Sequence, residues 1–224
     1  MDIKKRKDFI FILLSGFFIT NAVVAELIGG KLIRFFDLFT QSIGIILWPV
    51  VFLLTDIMNE HFGKEGVKRL TYITVILIIY VYLLLTVALN IPAVPFSPVN
   101  DEQFQAVFGQ SRWIIIGSIT AFLLSQLLDI YMFWIIRKVT GGKWIWIRAT
   151  GSTVVSQLVD TFVVQFIAFV VPGKWAFDEF MKNASVGYLF KLITAAALIP
   201  FIYIGHFLIK KLLKPVTSEV SMKK

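Results

Sequence analysis

Residues 113–136 read WIIIGSITAFLLSQLLDIYMFWII, 24 positions with no Lys, Arg, His or Pro. As a helix rising 1.5 Å per residue, the stretch is about 36 Å long, enough to cross the roughly 30 Å hydrocarbon core of a bilayer. Inside it lies Ser125-Gln126-Leu127-Leu128-Asp129. A carboxylate near the middle of a membrane costs at least about 2.5 to 3.5 kcal/mol on insertion scales, so its presence calls for a reason. The same pattern returns as Ser156-Gln157-Leu158-Val159-Asp160, again within an apolar run.

Working outward, further apolar windows run from about Phe9 to Ile28, Leu38 to Ile57, Leu70 to Ile91, Ser152 to Val171 and Ser185 to Ile209. The chain is 58% hydrophobic and 16% charged, against roughly 25% charged in soluble domains. The fold class read from this is an all-α integral membrane protein. A compact bundle of six transmembrane helices fills a single domain, 1–214, and a short polar tail, 215–224, reads as disordered. The first apolar window lacks a small-x-small cleavage site and is followed by Glu26, so it reads as an uncleaved helix rather than a signal peptide.

Orientation follows from the cations. Lys4 to Lys7, Lys64, Lys68, Arg69, Arg137, Lys138, Lys143, Arg148, Lys210, Lys211, Lys214, Lys223 and Lys224 fall on one side; Lys31, Arg34, Arg112, Lys174 and Lys182 fall on the other. The positive-inside rule then puts both termini in the cytoplasm. The net charge of +8 is mostly this topology signal, dispersed over short segments, and argues against nucleic-acid binding. The absence of cysteine excludes disulfides and thiolate chemistry, and His61 and His206 fit no metal spacing, so no metal or cofactor is expected.

Gln126 and Asp129, three residues apart, share one helix face, as do Gln157 and Asp160. Both polar edges fall about 10 to 16 Å from the cytoplasmic end, so they can face one another. Phe122 and Phe133 continue the stripe on helix four, and Thr153 and Val164 on helix five, which puts flat aromatic surface beside the amides and acids. Such an arrangement suits a planar, hydrogen-bonding ligand. The competing reading is interhelical glue, which Ser, Thr or Asn can provide without burying an ionisable group. The repetition also admits an inverted helix pair of the kind found in transporters.

At the inner end of helix two, Asp56, Asn59 and Glu60 line one side, at a terminus where acids oppose the helix dipole. Glu26 and Lys191 are expected at similar depths near the outer side, where pairing lowers the cost of both; outward snorkelling of Lys191 is the alternative. Asn21 and Glu26 lie about 140° apart around helix one, so they cannot share one cleft. Pro49 and Pro200 are expected inside helices two and six, where they remove hydrogen bonds and kink the chain. Trp113, Trp144, Trp146, Trp175 and Tyr188 read as interfacial anchors, and the loop from Pro92 to Arg112 as a candidate lid.

Three segments together resemble a known family, the queuosine precursor transporters, also grouped among the vitamin uptake transporters. They are Asp56-Ile57-Met58-Asn59-Glu60-His61-Phe62-Gly63, the Ser-Gln-Leu-x-Asp of helix four followed by Phe133, and Arg148 followed by Ser152, Gln157, Asp160 and Phe162. The resemblance implies import of 7-deazaguanine precursors, such as 7-cyano-7-deazaguanine, across the bacterial inner membrane for tRNA queuosine salvage. A guanine-like edge carries adjacent N–H donors and a carbonyl, which a carboxylate and a glutamine amide can meet. The residues expected to bind substrate are Gln126, Asp129, Gln157, Asp160, Phe122, Phe133 and Asn21; those expected to gate or couple are Asp56, Asn59, Glu60, Glu26 and Lys191. No nucleophile or metal constellation points to an enzyme, and no phosphate-binding glycine loop supplies energy. A binding subunit with a separate energising partner, or a homodimer, stays open.

Overall fold

The computed structural model describes residues 3–35 and 39–213. The order is α1 (Ile3–Ile28), β1 (Leu32–Phe35), β2 (Phe39–Ser42), a 3₁₀ turn (Ile43–Ile46), α2 (Trp48–Phe62), α3 (Lys64–Leu89), α4 (Asp101–Phe108), α5 (Arg112–Val139), α6 (Ile145–Gln165), a π turn (Phe166–Val170), α7 (Phe177–Ala197) and α8 (Ile199–Leu213). Among the described residues five helical segments are long and apolar enough to cross a membrane, or six if the bent pair α7–α8 is one span. Ile76, Leu83, Val87, Ile193 and Phe207 lie more than half exposed. So much outward apolar surface is stable only against lipid. The protein is a multi-pass membrane protein.

Helix two does not begin near Leu38, itself outside the described residues. β1 and β2 form an antiparallel hairpin with Leu32 opposite Ser42 and Ile33 opposite Gln41. The Ser42 hydroxyl then accepts from the Gly44 amide at 3.2 Å and caps the 3₁₀ turn. The apolar window could not reveal this, because hydropathy scores composition and not backbone shape. Pro49 consequently occupies the first turn of α2, where its missing N–H is no loss, so it does not kink the helix. Pro200 behaves as expected: the last span breaks at Leu198, and its halves bend by 44°. Having no N–H, Pro200 leaves the carbonyl of Ala196 without its helical donor.

The loop from Pro92 to Arg112 contains α4, whose capping box pairs the Asn100 side chain with the Gln103 amide at 2.8 Å and Gln103 Oε1 with the Asn100 amide at 3.1 Å. The tail from Pro215, with Lys214, Lys223 and Lys224, lies outside the described residues.

The core packs α1, α2, α3 and α5 through Phe18, Val51, Met58, Val67, Ile78, Phe122 and Ile130. The closest helix pairing is α5 with α6, an antiparallel hairpin turned by Gly141 and Gly142, both at positive φ. Gly117 permits this approach, since a Cβ there would lie 3.1 Å from the carbonyl oxygen of Val164.

Candidate functional site

The two repeated signatures meet across the α5–α6 contact. Ser125 Oγ donates to Asp160 Oδ1 at 3.2 Å, and Ser156 Oγ donates to Asp129 Oδ1 at 3.0 Å. Ser and Asp four apart share a helix face, and antiparallel packing reverses their order on the partner, so each serine falls opposite the other helix's acid. The hydroxyl of Thr55 on α2 donates to Gln126 Oε1 at 3.3 Å, which joins a third helix to the seam. Gln157 is buried, and its Oε1 has no partner among the described residues.

On α2, Asp56, Asn59 and Glu60 do share a side, with different surroundings. Glu60 Oε2 accepts from Arg148 Nη2 at 2.6 Å and lies 3.6 Å from Arg137 Nη1. Arg148 also donates to the Gly142 carbonyl at 2.7 Å, and its guanidinium sits over the Phe133 ring. Asp56 and Asn59 point inward and are buried. Asp56 Oδ1 and both polar atoms of the Asn59 amide have no partner among the described residues. Asp129 and Arg148 are both close enough to Asp56 to act on its charge.

Glu26 and Lys191 do not pair. Lys191 Nζ donates to Asp160 Oδ2 at 2.6 Å, while Glu26 accepts from Ser118 Oγ at 2.6 Å and from Tyr82 Oη at 3.3 Å. Position along a helix says nothing about angle around the bundle, and Asp160 lies on the lysine's side. Asn21 is turned away from Glu26, as the 140° separation requires, and its Nδ2 donates to the Phe17 carbonyl of its own helix at 2.8 Å. That leaves Asn21 outside the seam.

Phe122 packs against Trp48 with ring centroids 5.6 Å apart, and Phe133 is fully buried beneath Arg148. Both are core side chains. An aromatic of α2 that does border open space is Phe52. With Asp56, Thr150, Thr153, Ala195 and Leu198 it lines a narrow cleft between α2, α6 and the α7–α8 break. His61 and His206, remote in sequence, stand side by side with ring centroids 4.7 Å apart where α8 meets α2.

Sequence reasoning gave no role to Ser125, Ser156, Thr55, Phe52 or Thr150, and quoted Arg148 without one. The serines carried a usable signal, the four-residue spacing from Ser to Asp in each signature. Phe52 and Thr150 carried none, because an aromatic and a threonine in apolar helices are ordinary.

The sequence model of a family described as "Putative vitamin uptake transporter" matches residues 42–205. That interval contains the polar end of α2, both signatures and Lys191. The chain is 29% identical over 118 residues to a Bacillus subtilis (strain 168) protein named "Probable queuosine precursor transporter". The aligned region is 52% of this chain and 50% of that relative, so the match spans about half of the relative's length. No solved structure matches the chain.

Proposed function

The chain belongs to the vitamin uptake transporter family, and from that membership we propose that it imports 7-deazaguanine precursors of queuosine, such as 7-cyano-7-deazaguanine, across a bacterial inner membrane. The observation that carries the reading is the set of buried polar atoms without partners along the α2–α5–α6 seam: Asp56 Oδ1, the Asn59 amide and Gln157 Oε1. Each such atom costs about 1 to 3 kcal/mol, and a ligand that meets it removes the cost. A guanine-like edge, with two adjacent N–H donors and a carbonyl, has the complementary chemistry.

In this proposal Gln157 meets the ligand directly. Gln126 and Asp129 do so by exchanging the hydroxyls of Thr55 and Ser156 for ligand groups. Asp160, bound to Lys191, couples ligand entry to movement of α7. The Glu60–Arg148 pair closes the cytoplasmic end and opens to release the ligand.

The purified chain alone in liposomes tests the reading with radiolabelled 7-cyano-7-deazaguanine. Saturable uptake competed by the unlabelled base is the expected result, and Asp129→Ala should abolish it. Binding without uptake would instead indicate a subunit that needs an energising partner, and neither binding nor uptake would overturn the assignment.

A further inference from the structure

We propose that the N–H edge of the ligand is read by Asp56 in the cleft at the break of the last span, with Thr150 assisting and Phe52 providing the stacking face. This rests on the transport reading and specifies its recognition site.

The intramembrane acids divide by what they already hold. Glu26 accepts from Ser118 and Tyr82, Glu60 from Arg148, Asp129 from Ser156, and Asp160 from Ser125 and Lys191. Among the described residues, Asp56 is the buried carboxylate with an oxygen left over, and it is 4% exposed. That carboxylate borders the cleft, and so does Thr150, whose buried Oγ1 also lacks a partner. The opposite wall, at Ala195 and Leu198, belongs to the 44° break between α7 and α8. A discontinuous helix is tolerated at membrane depth where it lines a cavity, and that is where transporters gather ligand contacts.

The chemistry of the walls selects the ligand group. A carboxylate oxygen is an acceptor and a hydroxyl can serve either way, so the cleft favours a group rich in N–H. The 2-amino-lactam edge of a guanine-type base offers a ring N–H and an exocyclic amine side by side, in the geometry that two carboxylate oxygens accept. Phe52, stacked on Trp48 at 6.1 Å with 19° between planes, lines the cleft and brings an aromatic ring to it. The cleft is too narrow as it stands for a bicyclic base. Ligand entry therefore requires α8 to swing about Leu198. Asp56 then reads the N–H edge, while Gln126, Asp129 and Gln157 meet the rest of the base.

The test is equilibrium binding of radiolabelled 7-cyano-7-deazaguanine, and of its analogue without the 2-amino group, to the detergent-purified full chain. Asp56→Asn should weaken binding of the parent base about 10- to 100-fold, the range expected for a charge-assisted hydrogen bond. The wild type should prefer the parent base to the analogue by a similar factor, and Asp56→Asn should show no preference. Thr150→Val removes a hydroxyl with no internal partner, so it should keep its melting temperature and still lose affinity. Retention of full discrimination in Asp56→Asn would overturn the pocket while leaving the transport reading intact. A wild type that binds neither base would overturn both. Should Asp56→Asn not fold, Thr150→Val decides, and unchanged affinity there would also overturn the pocket.

Discussion

Lys191 and Asp160 are each less than a quarter exposed and lie 2.6 Å apart, so their attraction is only weakly screened by solvent. Removing one partner leaves the other charge without compensation. Lys191→Met should therefore cost about 1 to 3 kcal/mol, below the 3 to 5 of a fully buried pair because some solvent reaches both groups. Adding Asp160→Asn should recover at least half of that loss in the thermal stability of the detergent-solubilised protein; strictly additive effects would exclude the coupling. Glu26→Gln combined with Lys191→Met should be additive within about 0.5 kcal/mol, because Glu26 is held by Ser118 and Tyr82 and not by the lysine. At this scale the sequence identified the acids that matter energetically, since an acid in an apolar run is conspicuous. It could not assign their partners, because residues 31 positions apart in the chain, such as Asp160 and Lys191, are joined only by packing.

Between helices α5 and α6 the reciprocal serine-to-aspartate bonds make a symmetric prediction. Ser125→Ala and Ser156→Ala should each destabilise the protein, by about 1.5 to 3 kcal/mol for a hydrogen bond to a charged group, with the less deeply buried Asp160 side at the lower end. Equilibrium unfolding in mixed micelles measures it, and a neutral Ser156→Ala would argue against the bond. Gly117→Val should destabilise more than Gly16→Val, because a side chain at Gly117 meets the Val164 carbonyl and Ile167, whereas nothing lies within 4 Å of the position at Gly16. The antiparallel match was legible in principle from the Ser-to-Asp spacing of four residues, which marks one face of each helix. The different fates of Pro49 and Pro200 were not. One begins a helix after a hairpin and the other follows a break, and the sequence around each reads simply as apolar.

Seen as a whole molecule, the bundle is tied at one end by Glu60, Arg137 and Arg148, with the His61–His206 pair also at the junction of α2 and α8. The positive-inside rule predicts that this is the cytoplasmic end. Because the chain has no cysteine, single cysteines report topology without background. Phe96→Cys, in the loop after α3, should react with an impermeant maleimide in intact cells, and Val139→Cys, at the end of α5, only after permeabilisation. The reverse pattern would invert the orientation. Glu60→Gln should loosen the same end, so cysteines placed near it should react faster with a permeant maleimide than in the parent protein.

The sequence by itself determined the solvent and the cast. Runs of apolar residues longer than a bilayer is thick admit only helices, and carboxylates, amides and serines inside them stand out because burying them is costly. The hairpin at 32–42, the break at Leu198, the Lys191–Asp160 pair, the reciprocal serine bonds and the cleft beside Asp56 were decided by tertiary structure. Hydropathy fixes which residues lie in the membrane and roughly how deep. The angle each helix presents, and so which polar group meets which, depends on contacts between segments far apart in the chain.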